Sequence, residues 1–154
     1  MYRITIQIAT KDVFIPSKIL MRRWIKKALR QQIPSADVTI RIVDVSEIIM
    51  LNEQYRHKKA PTNVLSFPIQ IEEQTDIEIP LIGDIVICAE VVNKEAQEQG
   101  KLAEAHWAHM LVHGILHLLG HDHEVEAEAL IMENLEIKIL QSLMIENPYI
   151  TVEK

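Results

Sequence analysis

From Leu102 to Leu119 the chain carries one charged side chain, Glu104, and is otherwise apolar or uncharged at every helical position. A helix that is apolar on all sides has no surface to give to water, so it must be the central helix of a packed core. Gly120 follows, a residue that can take the left-handed backbone and end the helix. The run is shorter than the roughly 20 consecutive apolar residues a membrane span requires, and no other stretch comes closer.

The rest of the chain supplies elements to surround that helix. Tyr2 to Ile8 alternates at period two and reads as a strand. Pro16 and Ser17 open a helix, with Ser17 as N-cap and Ile19, Leu20, Trp24, Ala28 and Leu29 at helical spacing, ending before Pro34. Val38, Ile40 and Ile42 give a second strand. Ser46 is expected to cap a short helix from Glu47 to about Tyr55, with Ile48, Ile49 and Leu51 on its apolar face. Val64 to Phe67 reads as a third strand ending at Pro68, and Ile69 to Glu78 as a polar loop. Gly83 to Cys88 is a continuous apolar strand, the pattern of a strand covered on both faces. A helix from Ala89 to Glu98 ends at Gly100, and a last one from Glu126 to about Ile145 stops at Asn147-Pro148. These elements predict a single α/β (α+β) domain over residues 1–154, a mixed sheet of about four strands packed with helices.

Composition narrows the class. With 48% hydrophobic and 25% charged residues the chain is an ordinary globular one. One cysteine, Cys88, excludes an internal disulfide and an all-thiolate metal site, and its apolar neighbours make it a small core residue. Met1 to Ala9 lacks the basic start and unbroken apolar stretch of a signal peptide, so a reducing, cytoplasmic setting with no membrane partner is expected. The net charge of −6 argues against nucleic-acid binding over the whole surface. Charge is nevertheless segregated. Arg22, Arg23, Lys26, Lys27 and Arg30 share one helix, Arg56, His57, Lys58 and Lys59 form a second basic group, and acid gathers at Glu72–Glu78 and Glu124–Glu136. The first basic run is read as a solvated helix face.

The chemistry lies in His113-Gly114-Ile115-Leu116-His117-Leu118-Leu119-Gly120-His121-Asp122-His123. Histidines four apart stand one above the other on a helix face, so His113 and His117 can reach one ion. A turn at Gly120 returns His123 to the same ion. Three imidazoles suit zinc and leave the fourth tetrahedral position to water, whose pKa zinc lowers to roughly 7. An isolated histidine in an apolar helix would be a core residue, but three at these offsets around a helix-ending glycine are not explained by packing. His109, one turn back, is a rival ligand, a supporting residue or a substrate contact, and also the candidate for proton transfer. His121, beside the turn, is a second rival ligand but is expected to be exposed, His106 and His57 lack ligand spacing, and Asp122 either orients a ligand or, preferably, caps the last helix.

The histidine offsets and Gly120 match the metzincin pattern H-E-x-x-H-x-x-G-x-x-H, except that the glutamate serving those proteases as base is Gly114 here. Taken with further motifs, the chain resembles the YbeY endoribonucleases, bacterial rRNA maturation factors, over nearly its whole length. Their signature H-G-x-L-H-L-x-G-x-D-H is met at every fixed position by His113 to His123. Leu51-Asn52, Tyr55-Arg56, Pro61 to Pro68 and Gly83-Asp84-Ile85 look like the family's other conserved stretches, with Asn63 where aspartate is usual and Ile82 where leucine is.

The resemblance implies a zinc-dependent, single-strand-specific endoribonuclease acting in 16S rRNA 3′-end maturation and ribosome quality control, with RNA and the small ribosomal subunit as partners. It implies a functional role for Arg56, whose guanidinium fork can hold two phosphate oxygens. Lys58 or Lys59 would steer the RNA backbone, and Ser66 would add a hydrogen bond. Two other readings stand beside it. A metallopeptidase would need a base such as Glu104 or Glu124, and a non-catalytic assembly factor would close the fourth position of a structural zinc.

Overall fold

The computed structural model describes residues 1–70, 78–122 and 124–150. In chain order the elements are β1 (Tyr2–Ala9), α1 (Lys18–Arg30), β2 (Ala36–Val43), α2 (Val45–Arg56), β3 (Val64–Pro68), β4 (Leu81–Cys88), α3 (Ala89–Glu98), α4 (Ala103–Leu118) and α5 (Glu126–Ser142). The strands form one mixed sheet in the order β1-β2-β4-β3. β1, β2 and β4 are parallel, and β3 runs antiparallel to β4. Parallel neighbours need crossovers, which α1 and the α2–β3 segment supply.

From Ile85 to Cys88 β4 is covered on both faces, as that apolar run requires, whereas Asp84 is exposed. Ile85 and Ile87 join the main core with α1, α4 and α5, whereas Val86 and Cys88 join a smaller core under α2 with Val43, Ile48 and Leu65. Burial raises the pKa of the Cys88 thiol, which fits a packed residue rather than a nucleophile. Helix α4 is central. Eleven of its residues, from His106 to Leu118, are buried.

Its closeness to the sheet explains Gly114. A β-carbon at that position would stand 2.9 Å from Ile85 Cδ1, so any side chain at residue 114 would make the end of Ile85 move where α4 lies on β4. The metzincin glutamate position is therefore a packing position here. Gly83 is constrained by the backbone itself: its φ is +141°, and a β-carbon would meet the Phe67 carbonyl oxygen.

Several termini differ from the sequence-based expectation. Asp44, not Ser46, is the N-cap of α2; its carboxylate accepts from the Glu47 amide at 3.0 Å and from the Ser46 hydroxyl at 2.9 Å. Asp122 does not cap α5, whose N-cap is Val125 without a side-chain bond. β4 begins at Leu81 instead of Gly83. α5 stops at Ser142, short of Asn147-Pro148, because Met144 takes the left-handed conformation and Ile145 donates back to Leu140. The expected loop from Ile69 to Glu78 falls largely outside the described residues. Among the described residues no helix is long and apolar enough to cross a membrane.

Candidate active site

At the C-terminal end of α4 the backbone turns as the sequence expects. Gly120 has φ +96°, its amide donates to His117 at 3.1 Å, and the His121 amide donates to Leu116 at 3.0 Å. These two bonds satisfy the last helix carbonyls and swing the chain away from the axis. His113 and His117 project from the last two turns with ring centroids 4.6 Å apart and planes at 76°. His123 lies outside the described residues.

The two histidines form one wall of a groove of about 530 Å³. Tyr55 and Arg56 from the end of α2, and the Thr62–Pro68 segment running into β3, form the rest. Arg56 is placed by the end of its helix: His57 takes φ 58°, and buried Asn52 donates to the Ala60 carbonyl at 2.9 Å, folding the loop back. Arg56 is exposed at the groove mouth. Ser66, also a wall residue, donates to the Gly114 carbonyl at 3.4 Å and so ties β3 to α4. Lys58 and Lys59 are exposed on the loop beyond Arg56 and do not form part of the wall.

Asn63 repays attention as the departure from the resembled motif. It donates to both Glu95 oxygens at 3.1 and 3.3 Å, while its own oxygen accepts from the Val64 amide at 2.7 Å. Glu95 also pairs with buried His106 at 3.0 Å. An aspartate at 63 would set like charges together, so the amide fits its neighbour.

Behind His113 sits a group that the sequence reading missed. Glu136 of α5 is 1% exposed. Its Oε1 accepts from His113 Nδ1 at 2.9 Å and from His109 Nε2 at 2.9 Å, and its Oε2 accepts from the Tyr149 hydroxyl at 2.7 Å. Burial pushes the Glu136 pKa up, but the hydrogen bonds from the two histidines outweigh it and hold the value at about 2. An ionised carboxylate accepts a hydrogen bond from each ring. It therefore holds the His113 proton on Nδ1, the tautomer of an imidazole that ligates a metal through Nε2. His109 is 7% exposed and lines a different cavity, nearer the start of α4, so its geometry favours support of Glu136 over contact with a substrate in the groove. His121 is half-buried, not exposed, and donates to Gln32 at 2.8 Å.

Two donor sets thus meet at His113. His109, His113 and Glu136 present ligand atoms within 4.8 Å of one another and are compatible with a metal ion. His113 and His117 form the other set, opening on the groove. The donor chemistry of His113 and His117, two imidazoles side by side on the groove wall, suits a divalent ion on that side. A third feature of the groove is aromatic: Tyr55 and Phe67 meet edge to face with centroids 4.8 Å apart. Tyr55, 62% exposed, offers a face on which a base can stack.

Comparison with known proteins agrees with this arrangement. The family model "Endoribonuclease YbeY" matches residues 5–144. A protein of Nitrosococcus oceani named endoribonuclease YbeY is 48% identical over 147 residues, covering 96% of each chain. One of the same name from Methylococcus capsulatus is 54% identical over 149 residues, covering 97% of this chain and 96% of that one. The solution structure of TM1509 from Thermotoga maritima superposes with a TM-score of 0.59 at 26% identity, covering 94% of this chain and 92% of the other. With the motif, the groove and relatives of this closeness in agreement, the chain belongs to the YbeY family.

Proposed function

We propose that the chain is a zinc-dependent, single-strand-specific endoribonuclease acting in 16S rRNA 3′-end maturation, with the small ribosomal subunit as its working context. The observation that carries this reading is the groove, where two metal-competent histidines stand opposite an exposed arginine and an aromatic pair in a chain of net charge −6. His113 and His117 hold the ion with His123, whose placement rests on the sequence motif. When bound, such an ion supplies Lewis acidity toward a phosphate oxygen or a water.

The chain's own residues do the rest. Arg56 holds the scissile phosphate by its fork and offsets the charge that builds up there during cleavage. Tyr55 and Phe67 stack a base, which requires a strand whose bases are not already paired. Ser66 sets the distance between β3 and α4 and so the groove width. Glu136, supported by His109 and Tyr149, keeps His113 in its ligating tautomer. Lys58 and Lys59 lie beyond Arg56, where they attract the backbone at longer range.

The reading is tested on a denaturing gel with a single-stranded rRNA fragment and a duplex of the same sequence. The single strand should be cut and the duplex spared, and a chelator should stop the reaction. Arg56→Ala should lower kcat by roughly 10²–10³, the usual effect of losing one donor to a developing oxyanion, with metal content unchanged. Cleavage by Arg56→Ala at the wild-type rate would remove the phosphate role from this residue.

A further inference from the structure

The exposed face of α1 carries a charge pattern that folding does not explain. The helix holds six of the chain's 16 Lys and Arg side chains and none of its 22 Asp and Glu. Lys18, Arg22, Arg23, Lys26 and Arg30 are exposed and Lys27 is half-buried, while Met21, Trp24, Ile25, Ala28 and Leu29 fill the core behind them. A solvated helix face ordinarily mixes signs so that residues four apart attract. Here Lys18–Arg22, Arg22–Lys26, Lys26–Arg30 and Arg23–Lys27 are all four apart and all repel. The acid of the chain is placed elsewhere.

The face also points somewhere useful. Gln32, in the turn that follows α1, accepts from His121 at 2.8 Å, and His121 sits in the turn that follows the paired histidines of α4. At the other end, Leu20, Arg23 and Trp24 of α1 share a cavity with Leu102, Ala105 and His106 of α4. The two helices therefore run side by side in the same direction, and the C-terminal end of the basic face adjoins the turn at the metal histidines. A 13-residue helix presents about 20 Å of such surface.

We infer that α1 is a second RNA-binding surface, which holds the phosphate backbone of a long substrate outside the groove while one segment of it is cut. This rests on the proposed RNA substrate of the groove, and it extends the contact beyond the scissile site. Phosphate contacts of this kind position a strand without reading its sequence. Short RNA would use the groove alone, and long RNA would use both.

The test is a double charge reversal, Lys18→Glu with Lys26→Glu. Both side chains are exposed, and the new sequence alternates sign at Lys18, Arg22, Lys26 and Arg30, so the helix should fold at least as well. Binding is read by fluorescence anisotropy on a long single-stranded rRNA fragment and on a hexanucleotide, separately from cleavage. For the long RNA, affinity at low salt should drop at least about tenfold, and the slope of log K against log salt should flatten by about 1.4, two single-strand phosphate contacts. Hexanucleotide binding and cleavage should not change. Equal affinity and slope for the long RNA would overturn the inference and leave the face to an acidic protein. Failure of the wild type to cut any RNA would instead count against the groove reading, since the binding experiment does not depend on it.

Discussion

Replacing His117 with alanine should abolish RNA cleavage and metal retention together. His117 is half-buried on the groove wall, and the core behind it is built by Ile115, Leu116 and Leu118, so the fold should survive. Loss of the ion removes several kcal/mol of transition-state stabilisation, which is a rate loss of about a thousandfold or more. The metal-free variant should melt within a few degrees of metal-free wild type. His121→Ala is the matched control: it removes a neighbouring imidazole that is bonded to Gln32 and should leave both metal and most activity in place. If His117→Ala kept full activity with the same metal content, the groove would not be the catalytic site. The assembly-factor reading differs here, since it expects the biological role to outlast the loss of cleavage.

Substitution of Glu136 should act at two levels that its variants separate. Glu136→Leu leaves the ring protons of His109 and His113 and the Tyr149 hydroxyl facing an apolar side chain. Breaking a buried charged network from one side costs about 3–5 kcal/mol, so this variant should unfold at clearly lower denaturant. Glu136→Gln keeps an acceptor for the histidines and should fold. It removes the charge that raises the basicity of His113, so metal affinity, measured against a competing chelator, should fall by roughly 10–100-fold. Nitrogen NMR should show His113 still protonated on Nδ1 in the Gln variant but with a weaker hydrogen bond there, the signature of the lost charge rather than of lost packing. Unaltered metal affinity in Glu136→Gln would remove Glu136 from the site.

Much of this was legible in the sequence because it depends on local periodicity. Strands β1 and β2 alternate, β4 is continuously apolar from Ile85 to Cys88, and α4 is apolar all round; each pattern forces its place in the layers. Gly120 gave the turn after the histidines because its left-handed conformation needs no compensating contact. The end of α5 was illegible for the opposite reason, since Met144 takes the same conformation without the glycine that would announce it. The cap of α2 turned on a choice between Asp44 and Ser46, both capable, which only the backbone at residue 44 decides.

The supporting half of the site depends on distance in the chain. Glu136 reaches His109 across 27 residues and His113 across 23. One local signal was available: an acid at 136 falls within the buried stripe of Met132, Ile139 and Leu140, where a carboxylate must have a partner. Tyr149 lies past the helix and gave no periodic sign at all. The aromatic pair joins Tyr55 of α2 to Phe67 of β3, a contact that exists only once the sheet has formed.

Whether the ion sits on the groove side of His113 can be read from anomalous diffraction of zinc-loaded crystals. A single strong peak is expected, bonded to Nε2 of His113 and to His117, with Glu136 still hydrogen-bonded to Nδ1 of His113. A peak between His109, His113 and Glu136, on the buried side, would contradict that placement and make Glu136 a ligand instead of a positioning residue.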